Sequence, residues 1–128
     1  MRLPLPNLRA GVKMKVKICG ITNLEDALLA INLGADALGF IFYNKSKRYI
    51  QTLKAAEIIS KLPPLLLKIG VFVNESSDQI NSIAETTGLN TVQLHGDESA
   101  EFVGEISLPV IKSIRVRNSD DINIIKKL

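Results

Sequence analysis

The sequence predicts an α/β fold made of repeated strand–helix units. Three observations predict it. From Lys15 onward, short apolar runs of strand length alternate with longer segments of helical period, and the alternation is unbroken. Capping and breaking residues sit at the boundaries between the two kinds of segment. At 128 residues, 46% hydrophobic and 23% charged, the chain has the size and composition of one globular domain.

The elements follow in order. The run "KVKICG" predicts a strand over Lys15–Gly20, and "LEDALLAINL" a helix over Leu24–Leu33. Asn23 stands before that helix with Asp26 three residues on, and Gly34 follows its last turn, which is the usual cap pattern at both ends. A strand over Ala37–Phe42 and a helix over Leu53–Lys61 come next, the helix stopped by Pro63 and Pro64. A strand over Leu67–Val73 leads to a helix over Ser77–Thr87, entered at Ser76 and left at Gly88. The last two units are a strand over Thr91–Leu94 with a helix over Ser99–Ile106, and a strand over Val110–Ile114 with a helix over Asp120–Lys127. The opening "MRLPLPNLRAGVK" has two prolines and no helical period, and Met1–Lys13 reads as a flexible extension ahead of the barrel-like part at residues 14–128.

Composition excludes several classes of function. The net charge is +3, the cations are dispersed, and only two Tyr and four Phe are available for base stacking, so nucleic-acid binding is not expected. One cysteine rules out an internal disulfide framework, and one histidine leaves too few ligands for a typical zinc site. No apolar run reaches the ~18 residues of a membrane span. A reducing cytoplasm and no membrane partner are the expectation.

Strand faces carry the next step. In "KVKICG" Lys17 and Cys19 share a face, and in "TVQLHG" Gln93 and His95 do, whereas "IGVFV" is apolar throughout. Polar side chains therefore recur on one side of two strands, with the reactive ones at the carboxyl ends, where α/β proteins bind ligands. An open doubly wound sheet and a closed barrel both fit. The polar faces favour a barrel with a shared interior, although a (β/α)₈ barrel takes about 250 residues.

Cys19 heads the candidate residues. Most free cysteines pack as small hydrophobes. Cys19, however, ends a strand, has Gly20 beside it, and has Lys17 on its own face to favour a thiolate that can act as nucleophile or base. The segment "FYNKSKRYI" puts three cations in the loop after the second strand. Such a run is commonly a solvated surface, yet an Arg at a strand's catalytic end suits a carboxylate or phosphate, and Arg48 is the candidate. His95 reads either as a satisfied core histidine or as a site residue. Asp26, Asp36 and Glu98 lie at helix starts or loops, where the helix dipole accounts for them. There is no P-loop, G-x-G-x-x-G or nucleophile elbow.

The blocks "KICGIT", "GADALGFIF", "SKRYI" and "QLHG" together closely resemble the phosphoribosylanthranilate isomerase family of tryptophan biosynthesis, in register from Met14 onward. The resemblance implies a (β/α)₈ TIM barrel, here truncated to about five βα units. It implies no metal or organic cofactor. It also implies an aldose–ketose isomerisation, the Amadori rearrangement of N-(5′-phosphoribosyl)anthranilate to carboxyphenylamino-deoxyribulose phosphate. The reaction needs an acid to open the furanose and a base to remove the ribose C2 proton. The family's base matches Cys19, its carboxylate-binding arginine matches Arg48, and a site-lining histidine matches His95. Asn44 departs from the proline many members have there.

The family's general-acid aspartate and its phosphate-binding amides follow strands six to eight, and neither Asp120 nor Asp121 occupies a matching position. The expectation is that residues 1–128 hold the base without the acid and do not turn substrate over unaided. Strands one and five should be open edges, suited to a second copy or a complementary half-barrel. A non-catalytic half-barrel is the alternative reading. Indoleglycerol phosphate synthase would leave "KICGIT" unexplained. A flavodoxin-like sheet would show a reversal of strand order, and a barrel would not.

Overall fold

A computed structural model of the protein describes residues 14–127. The expected extension at Met1–Lys13 lies outside them. Five βα units follow one another: β1 Lys17–Cys19, α1 Leu24–Asn32, β2 Ala37–Ile41, α2 Thr52–Ser60, β3 Leu67–Phe72, α3 Ser77–Thr87, β4 Thr91–Leu94, α4 Ala100–Val103, β5 Val110–Lys112 and α5 Ser119–Ile125. Every expected element is present. The largest difference is α4, expected over Ser99–Ile106 and reduced to a single turn. Past Gly104 the chain tightens, with Glu105 N–H donating to Phe102 O at 2.9 Å and Ile106 N–H to Val103 O at 3.2 Å.

Local chemistry accounts for the helix ends. Asn23 caps α1 by accepting from Asp26 N–H at 2.7 Å, while its own amide donates to the Asp26 carboxylate at 3.0 Å. Ser76 and Ser99 cap α3 and α4 in the same manner. Gly88 ends α3 at φ +84°, a conformation that a Cβ would disfavour.

The strands form one parallel sheet in the order β1-β2-β3-β4-β5. That strictly sequential order removes the flavodoxin-like alternative and leaves β1 and β5 as the edges. Register places Leu38, Phe40, Phe72, Val92 and Leu94 on one face, where they form a buried core with Ala27, Ala30, Ala55, Ile58, Ile59, Ile80, Ile83 and Ala84 of the helices. The opposite face carries Lys17, Cys19, Ala37, Gly39, Ile69, Val71, Thr91 and Gln93. Helices on one face only, with a separate inner face, are the layout of a barrel wall. Curvature is evident in a hydrogen bond that spans the inner face, from Lys17 on β1 to Gln93 on β4, at 2.5 Å.

Candidate functional site

The inner face and the carboxyl ends of the strands collect the polar residues. Cys19 is the last residue of β1, and the chain leaves it through Gly20 at φ +91°. Gly39 makes room for it, and Gly20 makes room for Arg48. A Cβ on Gly39, its neighbour in register on β2, would stand 2.8 Å from the Cys19 sulfur and 3.2 Å from Lys17 Cε. A Cβ on Gly20 would overlap Arg48 Cδ and lie 3.2 Å from a guanidinium nitrogen. The loop after β2 thus folds Arg48 across Gly20, and Arg48 and Cys19 line one trough at the open β1 edge with Thr22 and Asp26. A short turn holds the loop there: Ser46 N–H donates to Tyr43 O, Arg48 N–H to Ser46 Oγ at 3.1 Å, and Ile50 N–H to Ile41 O at 3.0 Å. Among the described residues, the Arg48 guanidinium has no hydrogen-bond or ion-pair partner, leaving its planar fork for an anion.

Lys17 is placed differently from its expected role. It shares the inner face with Cys19, but its ammonium donates to Gln93 Oε1 rather than turning to the thiol. A carbonyl oxygen accepts from the ammonium at closer range than sulfur would, and the curvature of the sheet brings it within reach. Gln93 passes the contact on, its amide nitrogen standing 2.8 Å from Ser113 Oγ and 3.4 Å from His95 Nδ1. His95 is solvent-exposed one residue beyond β4, its backbone N–H bonded to Phe72 O at 2.9 Å. It is therefore no core histidine. It lines a second trough with Lys112, Ser113, Arg115 and Asp121, apart from the one at Cys19 and Arg48.

One feature escaped the sequence reading. Glu98 is not a surface acid answering a helix dipole. Its side chain is 2% exposed and accepts from Lys112 Nζ at 3.0 Å, from Asn74 N–H at 2.8 Å and from Gly96 N–H at 2.9 Å. Lys112 also donates to Gly96 O at 2.6 Å. Asn74, at φ +50°, returns its side-chain oxygen to Asp97 N–H at 2.8 Å. Burial pushes the Glu98 carboxyl up, but the Asn74 N–H and the Lys112 ammonium outweigh it and hold it below its ordinary value. This clasp ties the loops after β3 and β4 to β5 and fixes the backbone on which His95 stands. A signal was available in "VIKSI": a lysine on the helix-facing side of a buried strand needs a partner.

Asp120 and Asp121 open α5. The Asp121 carboxylate accepts from Arg117 N–H at 2.7 Å, which lowers its pKa despite partial desolvation, and Asn118 caps the same turn. Among the described residues no three His, Cys, Asp or Glu side chains gather as a metal site requires, and no helix is long and apolar enough to cross a membrane.

Residues 16–127 match the family model of N-(5′-phosphoribosyl)anthranilate isomerase. A relative of that name from Thermotoga neapolitana is 53% identical over 111 residues, which are 85% of this chain and 54% of the relative. A solved phosphoribosylanthranilate isomerase in complex with reduced 1-(o-carboxyphenylamino)-1-deoxyribulose 5-phosphate superposes with a TM-score of 0.85 at 50% identity, over 87% of this chain and 58% of that one. Monomers generated from the dimeric isomerase of Thermotoga maritima superpose with a TM-score of 0.83 at 47% identity, over 87% and 58%. The chain spans about half the length of the curated relatives it matches.

Proposed function

The chain belongs to the N-(5′-phosphoribosyl)anthranilate isomerase family, and on that premise we propose that it carries the base side of an Amadori rearrangement in tryptophan biosynthesis. The observation that carries this reading is that Cys19 and Arg48, the latter packed over Gly20, line one trough at the carboxyl end of β1. Arg48 binds the anthranilate carboxylate through its free guanidinium, which holds the aminosugar over the end of β1. Cys19, as thiolate, takes the C2 proton of the ring-opened Schiff base, and the electron pair moves toward the iminium nitrogen to give the enamine that becomes the ketose. His95 contacts the substrate from the β4 side. The bound ligand named for the solved relative has the carboxyphenylamino and deoxyribulose phosphate groups that these roles address.

Ring opening needs an acid, and the acids of α5 do not stand at a strand end. The acid and the phosphate grip are therefore assigned to residues outside these 128, in the further strands that would continue the sheet from β5. Alternatively, these residues serve as a half-barrel module without turnover of their own. That reading draws on the exposed apolar side chains along β1 and α1, with Val16 and Ile18 each 41% exposed and Leu33 79%. Either more barrel or a second copy would cover them. Reduced product analogue and substrate supply the test. Cys19→Ala, in a polypeptide that continues these residues through three further βα units, should abolish turnover while analogue binding persists. Retained turnover refutes the base assignment, and turnover by the 128 residues unaided refutes the placement of the acid.

A further inference from the structure

We infer that Lys17 and Gln93 are positioning residues that set the tautomer of His95, keeping the proton of its neutral form on Nε2, so that it presents an Nε2–H donor to substrate. Lys17 Nζ can only donate, so the Gln93 atom at 2.5 Å from it must be the carbonyl oxygen. Reversing the amide would set donor against donor. The amide nitrogen then faces β5 and His95, with one hydrogen for Ser113 Oγ at 2.8 Å and one for His95 Nδ1 at 3.4 Å. Nδ1 accepts, and the proton of the neutral ring resides on Nε2. Nε2 lies across the ring from Gln93, on a side chain that is solvent-exposed.

The consequence is chemical. With the Nδ1 lone pair engaged and Nε2 protonated, His95 does not compete with Cys19 for a carbon-bound proton. It offers an N–H to a carboxylate, phosphate or hydroxyl oxygen. Only this last step rests on the proposed isomerase function. The proton's location does not.

His95 is the only histidine in the chain, so its imidazole nitrogens give one unambiguous set of signals in a long-range ¹H–¹⁵N correlation spectrum. At a pH where the ring is neutral, the wild-type chain should show Nε2–H. Because the free side chain in water already favours that form, the decisive variant is Gln93→Glu, whose carboxylate only accepts and should invert the ratio to Nδ1–H. Lys17→Met lets the Gln93 amide rotate and should raise the Nδ1–H fraction part of the way. Nε2–H still dominant in a folded Gln93→Glu chain overturns the contact, as does Nδ1–H in the wild type. A wild-type ratio in Lys17→Met removes Lys17 from it. Should Gln93→Glu fail to fold, the wild-type and Lys17→Met spectra still decide. An inverted ratio with unchanged affinity for the reduced product analogue keeps the tautomer assignment and overturns the role of His95 toward substrate.

Discussion

Replacing Glu98 by glutamine removes one charge from an almost closed pocket while keeping the side chain's shape. The carboxylate accepts from three donors, Asn74 N–H and Gly96 N–H at 2.8 and 2.9 Å and the Lys112 ammonium at 3.0 Å. A carboxamide has one oxygen, so either orientation of Glu98→Gln sets its NH₂ against at least one of these donors. A buried donor left without an acceptor costs about 1–3 kcal/mol. Lys112, 12% exposed at its side chain, also loses its counter-charge. The two effects together give a loss of about 3 kcal/mol, a large share of the 5–15 kcal/mol that is typical of a domain. Urea unfolding at pH 7 reads it as a lower midpoint with an unchanged slope. Lys112→Met should cost less, since it leaves Glu98 with two N–H donors, and the double variant should be more stable than the sum of the single effects implies. The sign with pH is fixed by the depressed carboxyl. Its stabilisation is fully present above its ordinary pKa of 4.5 and is lost as pH falls through the lower folded value. The gap between wild type and Glu98→Gln should therefore close below pH 4.5. A midpoint change worth less than ~1 kcal/mol at pH 7, or a gap that widens in acid, would refute the clasp as described.

Gly39→Ala puts a methyl where the Cys19 sulfur and Lys17 Cε already crowd at 2.8 and 3.2 Å. The thiol must move by several tenths of an ångström, and alkylation of Cys19 by iodoacetamide should change severalfold; in a polypeptide continued through three further βα units, the proposed isomerase kcat/KM should fall roughly 100-fold. An unaltered alkylation rate would mean that the strand yields instead. On the proposed carboxylate role, Arg48→Ala should raise KM far more than it lowers kcat, and a normal KM contradicts that role. Asn23→Ala deletes a cap bond of 2.7 Å and should destabilise the chain by about 1 kcal/mol in urea, without effect on thiol reactivity.

Much of the fold was legible because its determinants are local. Period-2 and period-3.6 patterns placed the ten elements, and Asn23, Ser76 and Gly88 marked ends at which the structure makes the expected caps. Cys19, Arg48 and His95 were legible as positions at strand ends. Their relations were not. Arg48 shares a trough with Cys19 because a loop folds it over Gly20, and His95 lines a trough of its own, a separation that no spacing in the sequence indicates. Glu98 was misjudged as a dipole acid because its partner is 14 residues away on another strand.

The sequence by itself determined the order of the βα units, the side of each strand on which Lys17, Cys19, Gln93 and His95 fall, and the family to which the motif blocks point. These depend on backbone periodicity and on residues adjacent in the chain. The tertiary structure alone decided that the sheet curves enough for Lys17 to reach Gln93 76 residues later, that the Lys17 ammonium serves an amide rather than the thiol, and that Glu98 closes on Lys112. Those contacts follow from strand register and curvature, which arise when five strands pair and helices pack on only one face of them.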